Sequence, residues 1–272
     1  MDQSQREKED RIQVSLESIS LRQKEILEMI NVAGFATIDH LATHFNVTPQ
    51  TIRRDINNLC ENNLLQRYHG GAGRSSSVEN VEYAARQNIL YAEKRKIAEI
   101  AAKQIPDRAS VFINLGTTTE EVAKALENHK KLKVITNNLN VALTMSHNKE
   151  CDVIVAGGTV RHRDQGVTGA ATVDFIRQFK VDFGIIGASA IDEDGTIMDY
   201  DYQEVRVARE IIKNSRRVFL VIDHSKFTRN AMVKIADIAE IDAIFTDKTP
   251  PLPFQEMLKN KDVKLFVADD FA

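Results

Sequence analysis

The 272-residue sequence predicts two joined parts: a small module of three short helices and a β-hairpin, then a larger open α/β domain with a mostly parallel sheet. Three observations predict this. Helical periodicity with cap signals fills residues 21–62. A Gly/Ser-rich stretch, GRSSSVEN, interrupts the chain at 73–80. Beyond it, short apolar runs alternate with helical patterns, the rhythm of a sheet covered by helices. The length suits one large domain plus a small one, and 43% hydrophobic residues supply a packed core.

Residues 1–18 form a polar, charged extension to which no function is given. Leu21, Ile26, Leu27, Met29 and Ile30 make the apolar face of a first helix, which Gly34 stops as a C-cap residue would. A second helix covers Ile38 to His44 and buries Leu41, Ala42 and Phe45. A third opens at Thr48-Pro49, a capping hydroxyl followed by proline in the first turn, and runs to about Asn62 over Ile52, Ile56 and Leu59. Leu64 to Tyr68 reads as a strand, His69-Gly70-Gly71 as a tight turn and Ala72-Gly73 as the return. The small domain thus spans 19–74, a linker 75–81 and the large domain 82–272.

The large domain opens with a long amphipathic helix, about Val81 to Gln104, ended by Pro106. Strands are expected at Val111–Leu115, Lys133–Thr136, Val153–Ala156, Phe183–Gly187, Val218–Asp223, Ala243–Asp247 and Lys264–Ala268. Helices are expected at Thr119–Glu127, Asn140–Ser146, Ala171–Phe179, Tyr202–Asn214 and Pro253–Lys259. Strands that are apolar on both faces and alternate with helices belong to a parallel sheet.

The net charge of -3 does not by itself invite a polyanion. Attraction to phosphates is local, however, with a Debye length of about 8 Å at physiological salt. Residues 19–74 hold six Lys or Arg against five acids, and three of those arginines fall in two short elements. Cys60 and Cys151 are far apart and lack metal-ligand spacing, which predicts two reduced thiols. No apolar run approaches the ~20 residues of a membrane span. The charged start MDQSQREKED lacks the apolar core of a secretory signal, so a cytoplasmic protein is expected.

Ala36 to Asp55 has helix-turn-helix form: a short helix, a turn at Asn46-Val47 and a helix capped by Thr48. The exposed amino-terminal side of the second helix carries Gln50, Thr51, Arg53 and Arg54, types that hydrogen-bond base edges and phosphates. The hairpin at Leu65–Ala72, with Arg67, Tyr68 and His69, is placed like the wing of a winged helix. A second reading stands beside this one. The unit is then a dimerisation or protein-binding module, and Arg53-Arg54 a solvated face with Arg54 or Asp55 in an internal ion pair.

In the large domain Asn114-Leu115-Gly116-Thr117-Thr118-Thr119 joins a strand to a helix. Small and hydroxylated residues there leave N–H and O–H groups to cradle a phosphate. Equally, Thr118-Thr119-Glu120-Glu121 reads as an ordinary capping box, whose acids would repel a phosphate they faced. Asn137-Asn138 and Gly157-Gly158 end the next two strands and offer polar contacts and close backbone approach. Lys226 could neutralise a phosphate or stand in solvent; Glu204 and Arg206 could meet ligand hydroxyls or face water.

TPQTIRRDINNL followed by RYHGGA resembles the signature of the DeoR family of bacterial sugar-catabolism repressors. Gly116-Thr117-Thr118, Thr-Asn-Asn, Ala-Gly-Gly and Asp-His-Ser-Lys-Phe resemble the same family's sensor domain, so the resemblance covers about residues 19–268. It implies a winged helix-turn-helix domain followed by an α/β sensor domain similar in fold to ribose-5-phosphate isomerase. The implied partners are double-stranded operator DNA and a small phosphorylated effector, with a homo-oligomer, a tetramer built on dimers. The strings SSSVEN, TNNLNVA, DYDYQEVR and DHSKFTRNAMV resemble the branch that answers to glycerol 3-phosphate, which implies control of glycerol and glycerol 3-phosphate catabolic genes.

The implied DNA contacts are Thr48, Gln50, Thr51, Arg53, Arg54, Arg67, Tyr68 and His69; the implied effector contacts are Gly116, Thr117, Thr118, Thr119, Asn137, Asn138, Gly157, Gly158, Glu204 and Lys226. No catalytic residue, cofactor or metal is expected. Two alternatives remain: a family member answering to another sugar phosphate, and an isomerase-like enzyme. Against the enzyme, Met198-Asp199-Tyr200-Asp201-Tyr202-Gln203-Glu204 lacks the Lys-Gly-Gly-Gly loop that such isomerases place beside paired carboxylates, although Asp192, Asp194, Asp199 and Asp201 are available.

Overall fold

A computed structural model describes residues 19–33, 35–62, 64–68, 70–73 and 83–271. They fall into two compact units divided between Ile89 and Leu90.

The first unit begins with α1 (Leu21–Ala33), β1 (Phe35–Thr37), α2 (Ile38–His44) and α3 (Pro49–Glu61). It continues with β2 (Gln66–Tyr68) and β3 (Gly71–Gly73). Helical spacing puts Ile26, Ile30, Leu41, Ile52, Ile56 and Leu59 into one core, which Leu65 and Ala72 close from the hairpin. The turn between α2 and α3 closes because Asn46 takes a left-handed conformation (φ 51°), letting Val47 N donate to Ala42 O at 3.0 Å. The expected hairpin gains a strand: β1 pairs with β3, giving the order β1-β3-β2. Three residues between two helices are too few to show alternation, yet Phe35 and Ala36 are buried. Gly34 and the linker at 75–81 lie outside the described residues.

The single helix expected from Val81 to Gln104 is instead two: α4 (Tyr83–Asn88) and α5 (Tyr91–Ala102). Leu90, buried and left-handed at φ 55°, breaks the path, because that conformation does not continue a right-handed helix.

The second unit continues with β4 (Ser110–Ile113), α6 (Thr117–Ala125), β5 (Lys133–Thr136), α7 (Leu139–Ser146) and β6 (Asp152–Val155). A short hairpin, β7 (Thr159–Val160) and β8 (Val167–Thr168), precedes α8 (Ala170–Ile176) and β9 (Val181–Ile186). Then come β10 (Ala190–Ile191), β11 (Thr196–Asp199), α9 (Tyr202–Lys213), β12 (Ser215–Val221) and β13 (Val233–Asp237). The unit ends with β14 (Ala243–Thr246), α10 (Leu252–Asn260) and β15 (Lys264–Val267). All seven expected strands are present and form one parallel sheet in the order β15-β14-β12-β9-β4-β5-β6.

Each face of that sheet carries its own core. Ile97, Val122, Leu126 and Val141 cover one face from α5, α6 and α7. Val173, Val205, Ile211 and Leu258 cover the other from α8, α9 and α10. The β7–β8 hairpin and the small antiparallel sheet β10-β11-β13 were not anticipated. Strands of two to five residues carry too little periodicity to be read.

From β4 the chain winds outward through β5 to β6, and from β9 the other way through β12, β14 and β15. The reversal point is therefore the β4–β9 pair. In open α/β sheets the crevice beyond the carboxyl ends of such a pair is the usual ligand position.

Candidate nucleic-acid interface and ligand cleft

The helix-turn-helix places α3 by its cap. Thr48 Oγ1 accepts from Thr51 N at 3.3 Å and lies 2.9 Å from Thr51 Oγ1, while Pro49 fills the first turn. Gln50, Arg53 and Arg54 are exposed and Thr51 is half-buried. Arg53 Nη1 reaches Gln50 Oε1 at 3.5 Å, and no described carboxylate pairs with Arg53 or Arg54. The internal ion pair belongs to Asp55, which points inward and accepts from Arg22 Nε at 2.7 Å and Gln23 Nε2 at 3.3 Å. Thus α3 is tied to α1 by its inner side while both arginines stay outside. On the hairpin, exposed Arg67 donates through Nη1 to Asn57 Oδ1 of α3. The Tyr68 side chain and His69 lie outside the described residues.

In the second unit the loop after β4 sits at the strand-order reversal. Gly116 is the N-cap of α6, with φ 142° and ψ 147°, a conformation that side-chain-bearing residues rarely adopt. Thr117 and Thr118 follow in the first turn. The expected capping box does not form, because the helix starts earlier. Thr119 Oγ1 instead donates to Asn114 O at 2.8 Å and Gly116 O at 2.7 Å. The two acids turn aside: Glu120 accepts from Asn138 Nδ2 and Asn140 Nδ2, and Glu121 pairs with Lys124 at 2.7 Å.

Thr119 and Asn138 are both wholly buried. Asn138 Oδ1 caps α7 by accepting from Asn140 N and Val141 N. The side chains of both residues are thus hydrogen-bonded within the fold itself. Asn137 is buried and donates through Nδ2 to Val167 O at 3.1 Å. Gly157 and Gly158 are exposed beyond β6; a Cβ on Gly158 would fall 2.2 Å from Thr172 Oγ1, so α8 approaches the backbone too closely for a side chain.

Lys226 belongs to a buried charge cluster at the end of β12. Its Nζ is 3.7 Å from Asp223 Oδ2, and Asp223 also accepts from Ser225 N at 3.0 Å. Burial alone would raise the Asp223 carboxyl, but Lys226, Ser225 and the nearly inaccessible Lys94 of α5 outweigh it and hold it at about 2. Beside them His224 Nδ1 lies 2.5 Å from Asp247 Oδ2. Gly187, at the end of β9, stands between the Leu115 and Val221 carbonyls, joining this corner to the Gly116 loop.

Glu204 is half-buried and meets a guanidinium that sequence reasoning missed. Arg161, from the β7–β8 hairpin, reaches Asp164 at 2.6 Å, Asp201 at 2.8 Å and Glu204 at 2.9 Å. Arg163 adds a second contact to Asp201 at 2.6 Å. Burial would raise the Asp201 carboxyl, but the Gln203 and Glu204 backbone N–H groups, with Arg161 and Arg163, hold it below the usual range. The hairpin packs against β5 through Val167 N donating to Asn137 O at 2.7 Å, so this hub borders the same strand ends.

A capped helix-turn-helix whose two outer arginines meet no described carboxylate, followed on the same chain by an α/β unit with a glycine-threonine loop at its strand-order reversal, has the plan of a ligand-sensing regulator. The chain belongs to the DeoR family: the DeoR-like helix-turn-helix domain matches residues 22–78 and the DeoR C terminal sensor domain residues 90–248. It is 48% identical over 244 residues to the glycerol-3-phosphate regulon repressor of Escherichia coli, covering 90% of this chain and 97% of that one. It is 46% identical to the glycerol-3-phosphate regulon repressor of Haemophilus influenzae, covering 92% and 97%. Among solved structures, ribose 5-phosphate isomerase A from Methanocaldococcus jannaschii aligns with a TM-score of 0.38 and 14% identity, over 51% of this chain and 55% of that one.

Proposed function

We propose that this protein is a DNA-binding transcriptional repressor of glycerol and glycerol 3-phosphate catabolic genes, released from its operator when glycerol 3-phosphate enters the sensor unit. The observation that carries the effector half is the Gly116–Thr118 loop at the β4–β9 reversal, with the Lys94–Lys226 corner one strand away. Free N–H groups at the start of α6 and two ammonium groups around a single carboxylate suit a phosphate. The exposed edge of α3, with Arg53 and Arg54, supports the DNA half, as do the relatives named glycerol-3-phosphate regulon repressors.

Sensing without turnover is supported by the carboxylates that border the strand ends. Asp201 and Glu204 are both engaged by Arg161, whereas a general base needs a carboxylate available to a substrate proton. The protein works as a cytoplasmic homo-oligomer, a tetramer built on dimers, because paired half-sites suit symmetric readers and linked modules gain avidity. The effector shifts the population toward a form that fits the operator poorly, with a coupling of about 1–3 kcal/mol.

The test is operator binding by the purified protein, titrated with glycerol 3-phosphate and with several other sugar phosphates. Release by glycerol 3-phosphate at lower concentration than by the others supports the reading. Insensitivity to it, or multiple turnover of any of these compounds, defeats it.

A further inference from the structure

Asn114 and Asn137 each bury an amide oxygen that no described group meets. Asn114 is 2% exposed and Asn137 1% exposed, and neither Oδ1 has a hydrogen-bond partner among the described residues. Buried acceptors are normally satisfied, so two at one place ask for a donor. The residues stand one position past the β4–β5 register pair Ile113–Thr136, at the carboxyl ends of neighbouring strands. Strand alternation puts both side chains on the sheet face of Phe112 and Ile135, the face that packs against α8 and α9.

The Asn137 amide is held by its own hydrogen bond, and Asn114 by its backbone. Asn137 Nδ2 donates to Val167 O at 3.1 Å, which settles which end of that amide is oxygen. The backbone of Asn114 is pinned on both sides: its N–H donates to Ile185 O at 3.0 Å and its carbonyl accepts from Thr119 Oγ1 at 2.8 Å.

We infer that Asn114 and Asn137 read the effector's hydroxyl group, and so select a phosphorylated alcohol over the phosphorylated ketone of the same skeleton. This rests on the phosphate-sensing function proposed above and adds what decides among phosphates. An alcohol has a proton to give and satisfies an amide oxygen. The ketone keeps its terminal hydroxyl but offers only lone pairs at its central carbon, so an amide oxygen facing that carbon stays buried and unmet. The Gly116 loop, Lys94 and Lys226 treat both phosphates alike, so the discrimination lies at the amides. Sites built to pair with a hydroxyl reject analogues lacking it far more strongly than apolar pockets reject a missing methylene.

Calorimetric titration of the full chain with glycerol 3-phosphate, dihydroxyacetone phosphate and inorganic phosphate tests this. Wild type is expected to favour the alcohol over the ketone by roughly tenfold or more. Asn114→Leu should shrink that preference by weakening glycerol 3-phosphate while sparing inorganic phosphate. Its melting temperature without ligand should be no lower than wild type, because the Asn114 side chain makes no hydrogen bond among the described residues; a purely structural Asn114 predicts the opposite pair of results and overturns the proposal. Asn137→Leu supplies a second variant with the same expected loss of preference. Equal wild-type affinity for alcohol and ketone, or full preference retained in both variants, also overturns it. Failure of wild type to bind glycerol 3-phosphate or phosphate at all refutes the underlying sensing function, a result distinct from binding without preference.

Discussion

Arg161 on the β7–β8 hairpin and Asp201 at the N-cap of α9 meet at 2.8 Å, and the same guanidinium holds Asp164 and Glu204. Removing it leaves carboxylates, one of them buried, without their main counter-charge. Arg161→Ala is therefore expected to cost about 3 kcal/mol, because breaking a buried pair strands the remaining charge. Thermal unfolding of the sensor unit should fall by about 10 °C. Arg161→Lys recovers only part, since a point charge cannot fork across three carboxylates. An unchanged melting curve for Arg161→Ala would remove the hub from any account of stability.

Asp223 makes the sensor unit acid-sensitive in a defined window. Its carboxyl moves from 3.8 in an open chain to about 2 in the folded protein. A depressed carboxylate contributes stability that is complete above the open-chain value and is lost as pH falls through the folded one. The contribution, about 2 kcal/mol, should therefore disappear between about pH 4 and pH 2. Urea midpoints measured across that range should converge for wild type and Asp223→Asn at the acid end and separate above pH 4. Parallel curves throughout would contradict the assignment.

Arg53 and Arg54 are exposed on the capped half of α3 and, unlike Asp55, are not committed to the protein's own packing. Arg53→Ala or Arg54→Ala should weaken operator binding by roughly ten- to a hundredfold, the worth of a good base or phosphate contact. Effector binding should be untouched. Fluorescence anisotropy at several salt concentrations separates the two kinds of contact, since loss of a phosphate contact lowers the salt slope by about 1. Retained affinity in both variants would dismiss α3 as the reading element.

Thr117→Val combined with Thr118→Val removes two hydroxyls from the first turn of α6 while keeping side-chain volume. The expected product binds operator normally but needs at least about tenfold more glycerol 3-phosphate to release it. Normal release by this variant, followed in the same anisotropy assay, would sink the phosphate-loop assignment.

Legibility followed the range of the forces involved. Thr48-Pro49 was readable because a cap is a contact between near neighbours. The strand expected at Phe183–Gly187 was readable because a strand covered on both faces is mostly apolar, although it starts two residues earlier, at Val181. Arg161 was missed because its partners Asp201 and Glu204 are 40 and 43 residues away, a proximity created only by the folded sheet. Lys94 was not singled out, because its buried place beside Asp223, far along the chain, is created only by the fold. Thr119 and Asn138 had the right residue types in the right place, yet their polar atoms are spent on Gly116 and α7, which only the geometry reveals.

The pairing of β4 with β9, in the register Val111–Phe183, has a consequence for synthesis. The first unit closes its core with Ala72 and can finish folding as it leaves the ribosome. The reversal point forms only when Val181–Ile186 arrives to join β4. A nascent chain thus acquires its arginine-edged helix well before the strand-order reversal exists. The Gly116 loop and the end of β9 come together only in the folded sheet, so under the proposed function a bound effector stabilises the entire unit by mass action. Under the proposed function, induced cells hold the more durable form of the regulator, and starvation of the effector exposes it to faster turnover.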